Sequence, residues 1–457
     1  MRAQHVGKWG RGLILAGIAV TLTTTAAPAQ IFGRSRCTTP CPPTECAAPQ
    51  LPSAPPAETK TPAEQAVTPL PELPMQLAGV QGGLGVAYSS PNMFGDFFGT
   101  TNPYRLTFQL PPTQVTTVIP PPPPSTSMPP GPAQTIITTI PGRIVTLDVP
   151  LAGSIVERSK ISEDNNPLPR DRVFFTYDYF NSVPLNGEVG VHNFVLGFEK
   201  TFCDQMASIE VRVPFASTLN PNIIEGGSTN STDGEVGDVH FTLKGLLWST
   251  PCVNVAAGIG VSIPTGPDIK VALQDGTPLG RIRNDSVIVT PYIAYLLTPS
   301  DRCFFQNWFQ IGFDANSDPV ELNPALTTVS SPGRLKDQTV LSIDAQLGYW
   351  LYKSCDCNRW VTALAPFIEL HYNTALDNAN SIQTTAFSLQ SITNRFDELN
   401  MSVGVIARIN DNCTLALGAA FPLRGEDNRS FDYQLGLRAN IFLGPTARNP
   451  SRATFVP

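Results

Sequence analysis

Residues 238–263 read DVHFTLKGLLWSTPCVNVAAGIGVSI, and their pattern decides the fold. Val239, Phe241 and Leu243 alternate with His240, Thr242 and Lys244. After a short break at 249–252, Val255, Ala257, Ile259 and Val261 alternate with Asn254, Gly258, Gly260 and Ser262. A period of two puts apolar side chains on one face of a strand and polar or small ones on the other. Two such runs around a tight break predict an antiparallel hairpin. Each run is about ten residues, the length a tilted strand needs to cross a bilayer.

The same reading extends outward from residue 172 to residue 443. Ile209, Val211 and Val213 alternate with Ser208, Glu210 and Arg212, and Leu341, Ile343, Ala345 and Leu347 alternate with Ser342, Asp344, Gln346 and Gly348. Twelve segments result: 172–181, 189–201, 206–215, 238–248, 253–263, 286–297, 303–313, 340–351, 361–372, 398–409, 413–421 and 431–443. The breaks between them are alternately short (203–205, 249–252, 298–302, 352–359, 410–412) and longer (182–188, 216–237, 264–285, 314–339, 373–397, 422–430). Outer-membrane barrels have tight turns on one rim and long loops on the other. The predicted fold is all-β: a transmembrane antiparallel up-and-down β-barrel of about twelve strands. In lipid every backbone N–H and C=O must pair internally, so such a sheet must close. An even strand count leaves both barrel ends on the short-turn, periplasmic rim.

Composition agrees. Charged residues are only 15% of 457, against ~25% in an ordinary soluble domain. The net charge of −7, with no basic run, argues against a nucleic-acid partner. After residue 30 no apolar stretch reaches the eighteen residues of a helical span.

The first 29 residues read as a signal peptide. Arg2, Lys8 and Arg11 precede the apolar run from Gly12 to Leu22, and Ala27-Pro28-Ala29 offers a cleavage site. Residues 30–141 read as a Pro-rich, largely disordered arm, since residues 40–169 hold 27 of the 45 prolines. Two islands interrupt it, 82–99 (GGLGVAYSSPNMFGDFFG) and 142–149 (GRIVTLDV), and the sequence leaves open whether either docks on the main domain. Residues 142–171 form a short connector, 172–443 the barrel and 444–457 a tail. An arm attached at the periplasmic rim suits contact with cell-wall material.

The segments GEVGDVHFTLKGLLW (Gly234 to Trp248) and AAGIGVSIPTG (Ala256 to Gly266) resemble the outer-membrane barrels of the meta-pathway phenol-degradation transporter family. The stretch EDNNPLPRDRVFFTYDYF (Glu163 to Phe180) resembles the start of exported planctomycete barrel proteins. The resemblance implies an outer-membrane channel or transporter passing small solutes, hydrophobic ones among them. The long arm departs from a plain barrel of that kind. It keeps open a second reading, a non-conducting structural or adhesive barrel.

Chemistry is sparse. No GxSxG, HExxH or P-loop occurs, so no catalytic residues, metal or cofactor are expected and the chain is not expected to be an enzyme. Of the four histidines, His5 leaves with the signal peptide, His240 reads as a lumen-facing polar residue, and His192 and His371 read as rim residues. A membrane hydrolase using His240 and Ser249 is a distant third reading. Parity places Glu210, Arg212, Lys244, Asp344, Gln346, Glu369, Arg408, Gln434 and Arg438 inward, as candidate pore-lining residues. Inward glycines (Gly258, Gly260, Gly348, Gly404, Gly418, Gly436) suggest lumen space and favour a channel over a plugged barrel. Cys203, Cys252, Cys303, Cys355, Cys357 and Cys413 all fall in or beside the short turns and are disulfide candidates, for example Cys203 with Cys252. The expected partners are outer-membrane lipid, small solutes and wall material.

Overall fold

In a computed structural model the described residues are 90–96, 103–119, 133–149, 158–184, 188–219, 221–227, 230–250, 252–326, 329–354, 359–410, 412–425 and 428–443. The stretches read as signal peptide, first part of the arm and C-terminal tail lie outside them.

Twelve strands form the barrel: β1 (Arg172–Pro184), β2 (Glu188–Phe202), β3 (Ala207–Leu219), β4 (Val239–Ser249), β5 (Val253–Ile263), β6 (Ile288–Leu297), β7 (Cys303–Asp314), β8 (Val340–Tyr349), β9 (Val361–Ala375), β10 (Asp397–Ile409), β11 (Cys413–Pro422) and β12 (Tyr433–Phe442). Each pairs antiparallel with its neighbours in sequence. The sheet closes where β12 meets β1, from Tyr433 opposite Asn181 to Phe442 opposite Arg172. Closure removes the unpaired edges that an open sheet would expose. All twelve segments predicted from alternation are present, with ends moved by a few residues.

The outer wall is apolar. Leu196, Phe198, Leu243, Ile293, Phe309, Ile311, Leu347, Ile368, Val405, Leu417 and Leu435 are exposed, Leu417 to 56%. In water, so broad an apolar band would be a liability. Facing lipid, it is what the bilayer requires.

The long connections fold together beyond one rim. One sheet holds, in order, Gly333–Leu335, Asp318–Leu322, Pro278–Ile282, Ile269–Ala272 and Asn222–Ile224. A second holds Ile382–Gln383, Phe387–Ser391, Tyr104–Gln109 and Ile144–Val149. Residues from both sheets share one hydrophobic core that includes Phe108, Leu147, Ile223, Leu279, Val320 and Leu389. The rings of Phe108 and Phe387 lie 5.1 Å apart there. The loops thus build a cap with a core of its own, to which the arm and the connector each supply one strand.

This corrects the reading of the arm as a linker hanging from the short-turn rim. Residues 104–109, 113–119 and 134–140 are strands. Their prolines stand just outside, at 103, 111, 112, 120 and 141, where no ladder donor is lost. Residues 90–96 of the arm and 158–170 of the connector lie inside the barrel, where their backbone bonds to lumen-facing side chains.

Replacing Phe108 by Ala should cost about 3–5 kcal/mol of cap stability, the usual loss for a buried Phe. Limited proteolysis is expected to cut the cap loops of Phe108→Ala while the barrel keeps its heat-modifiable gel mobility. Equal resistance of variant and wild type would refute a cooperative cap.

Candidate functional site: the occupied lumen

Inward positions of alternating strands are fixed by the pleat, so their side chains converge on the barrel axis. At the short-turn end, Arg172 on β1 is 1% exposed and meets three carboxylates. Its guanidinium lies 3.2 Å from Asp164, 2.8 Å from Glu199 and 2.5 Å from Glu210. Arg212 pairs with Glu210 at 2.6 Å and Lys244 with Glu199 at 2.9 Å. Lys244 also donates to Asn165 Oδ1 and to the Asn166 carbonyl. Asp164, Asn165 and Asn166 belong to the segment that runs down the lumen into β1.

Nearer the cap, the Lys160 ammonium bridges Asp96 at 2.7 Å and Asp344 at 2.5 Å. His371 sets one ring nitrogen 2.8 Å from Asp344 and the other 2.9 Å from Glu369. The two oxygens of Glu369 accept the backbone N–H groups of Phe94 and Gly95. Gln346 donates to Glu369. On the facing wall Arg438 pairs with Asp178 at 2.8 Å, donates to the Phe94 carbonyl and covers the Phe94 ring at 4.3 Å. Gln434 donates to Asp178.

Eight of the nine residues predicted to line a pore therefore point inward and are buried: Glu210, Arg212, Lys244, Asp344, Gln346, Glu369, Gln434 and Arg438. Six of them bond directly to residues 90–96 or 160–166, Glu210 joins through Arg172 and Arg212, and Gln434 joins through Asp178. Arg408 is half-buried near the short-turn rim, with its guanidinium 5.1 Å from the Trp350 ring.

The inward glycines do not leave space. A Cβ on Gly348 would stand 2.0 Å from the Phe304 ring, and one on Gly404 2.6 Å from Phe367. Gly436 and Gly418 receive Phe94, Gly260 receives His240 and Ile161, and Gly258 receives Tyr292. The missing side chain is used to seat a ring, so these positions argue for a packed lumen rather than a wide one.

His371, read as a rim residue, is fully buried in the ion network. Asp96, Asp344 and His371 have ligand atoms close enough for a metal, but the Lys160 ammonium already stands between the two carboxylates. His240 bonds Ser262, and Ser249 bonds Asn254 instead of His240. Cys203, Cys303 and Cys413 are free thiols and Cys252 is in a disulfide, so the suggested pairing of Cys203 with Cys252 does not form. Cys355 and Cys357 lie outside the described residues.

Sequence reasoning missed Asp96, Asp164, Lys160, Arg172, Asp178 and Glu199. Parity alone would have placed Arg172 and Asp178 inward, since they share a face with Phe174 and Phe180. No periodicity marks the other partners in 90–96 and 158–166.

Arg172→Ala would leave buried Asp164 without its paired cation, and Glu199 and Glu210 with one cation each. It should cost about 3–5 kcal/mol, seen as a lower denaturant midpoint of the folded barrel. A loss too small to measure would remove Arg172 as the organising charge. At the cap, burial raises the Asp318 carboxyl to about 8, with Asp337 and Asp314 adding repulsion. The folded state then holds a proton that the unfolded chain, with a carboxyl near ~3.9, releases. Its contribution is complete at low pH and is lost as pH rises through about 8. Asp318→Asn, which keeps the acceptor for Asp285 and Ser286 N–H, should make the cap more protease-resistant than wild type at about pH 9 and similar at about pH 5. Equal curves at both pH values would contradict this.

No protein-family model and no curated protein matches the sequence. Among solved structures, the chain is similar to the NanC porin (8% identity, TM-score 0.34, covering 60% of this chain and 99% of that one). It is also similar to the β domain of the Bordetella autotransporter BrkA (10%, 0.38, 60% and 100%). A third is the Pseudomonas putida toluene transporter TodX (9%, 0.30, 59% and 87%).

Proposed function

We propose that the chain is an outer-membrane barrel that closes its own lumen and works as a structural, display-type envelope protein. The observation that carries this reading is the pairing of lumen charges with the chain's own threaded residues, above all Lys160 between Asp96 and Asp344 and Arg172 among Asp164, Glu199 and Glu210. A pore for solutes needs hydrated charges that a passing solute can reach. Here those groups are desolvated and satisfied by one another. The apolar outer wall and the strand lengths of 10 to 15 residues support the membrane setting. Long loops on the outer side would place the cap outside the cell. The idea of wall contact through the arm then narrows to the residues before 90.

Transport of small solutes, as the family resemblance implies, would require residues 90–96 and 158–170 to leave the lumen. Planar bilayers test the choice. Wild-type protein with confirmed heat-modifiable folding should be electrically silent. Lys160→Ala combined with Arg438→Ala and Glu369→Ala removes the main side-chain ties of Asp96, Phe94 and Gly95 to the wall and should produce ion-conducting steps. Steady channel steps from the wild type would overturn the closed-barrel reading.

A further inference from the structure

The hairpin that enters the cap does not end there. Tyr104–Gln109 pairs with Ile144–Val149, and the same register continues as Thr113–Ile119 pairs with Gln134–Ile140. The inner half alternates buried and exposed residues because the cap core covers one face. In the outer half every residue of both strands is exposed. Seven residues per strand make a finger of roughly 23 Å beyond the cap.

The composition of this finger is unusual for a bare ribbon. Twelve of its fourteen strand residues are Val, Ile or Thr, and residues 106–142 contain no Asp, Glu, Lys, Arg or His. Val118, Ile136, Ile137 and Ile140 are 59%, 47%, 60% and 51% exposed. Exposed edges are normally guarded by charges, by prolines inside the strand or by a bulge. Here the register is regular and the prolines lie outside both strands, so every ladder donor is present. A two-stranded ribbon alone is marginal in water, and a third or fourth strand stabilises it.

We propose that the finger docks on the finger of a second copy of this chain, by antiparallel pairing of the Gln134–Ile140 edges. This strand matches itself. With Ile137 on the twofold axis, Thr135 faces Thr139, Ile136 faces Thr138 and Gln134 faces Ile140. Like pairs of β-branched residues fit such a ladder, and with no charge on the edge, two identical copies meet without repulsion. The chain's own Pro-rich stretch at 120–132 is a poor alternative occupant, because proline has no N–H to give the ladder. The pairing is independent of whether the lumen conducts.

The test is the mass of the full-length protein in detergent micelles, by light scattering corrected for detergent. Wild type is expected as a dimer. Ile137→Lys sets two ammonium groups opposite each other at the twofold axis and should halve the mass. Ile137→Glu should do the same, and mixing the two variants should restore the dimer. Val118→Lys on the other strand should leave it intact. The cap and barrel report folding through protease resistance and heat-modifiable mobility. A wild-type monomer, a dimer that survives Ile137→Lys, failure of the mixed variants to re-associate, or selective loss with Val118→Lys would each overturn the proposal.

Discussion

A charge taken out of water must find its counter-charge, and in this barrel several of those counter-charges come from the threaded residues. Moving a carboxylate or ammonium into a low-dielectric interior costs several kcal/mol even after relaxation. The strands carry inward Glu199, Glu210, Lys244, Asp344, Glu369 and Arg438, and residues 90–170 bring Asp96, Lys160, Asp164 and a set of backbone donors. Lys160–Asp344, Arg172–Asp164 and the Glu369 bonds to Phe94 and Gly95 N–H tie the two sets together. The lumen, the threaded segments and the register of the strands are therefore one electrostatic unit.

The aromatic packing follows the same logic. Phe94 is held under the Arg438 guanidinium, beside Phe367 at 5.5 Å, over Gly418 and Gly436. Larger residues at those glycines would collide with the ring. Small residues on the wall and large ones on the thread are complementary, as in any packed core. The difference is that this core lies inside a closed sheet whose outer face is also apolar.

Much of the fold was legible in the sequence, because strand alternation and the spacing of breaks are local signals. The twelve strands, the closed antiparallel order and the inward face of Glu210, Lys244 or Gln346 follow from parity. The content of the lumen does not. Ser90–Asp96 and Lys160–Arg170 have irregular backbone, held by side-chain bonds such as Asn166 to the Pro91 carbonyl, and leave no period to detect. The inward glycines misled for a related reason. A glycine reports that no side chain starts there, not that none arrives from elsewhere. The strands between 104 and 140 were hidden by proline, since composition averaged over residues 40–169 conceals that short stretches such as 113–119 contain none.

The threading also constrains assembly. Arg170 donates to the Ser90 carbonyl, so the two ends of the inserted hairpin lie side by side near the start of β1. Its cap strands, Tyr104–Gln109 and Ile144–Val149, stand on the opposite rim, joined to Phe387–Ser391 from the β9–β10 connection. Once β12 has paired with β1, a two-stranded cap element could pass to the far rim only by being unfolded and drawn through a lumen already crowded with rings. A hairpin laid in before the last seam closes avoids that passage. Arg172 lies on that seam, opposite Phe442 in the ladder, and holds Asp164 of the thread with one nitrogen while the others hold β2 and β3. One side chain thus ties the closing seam, the two following strands and the thread to each other.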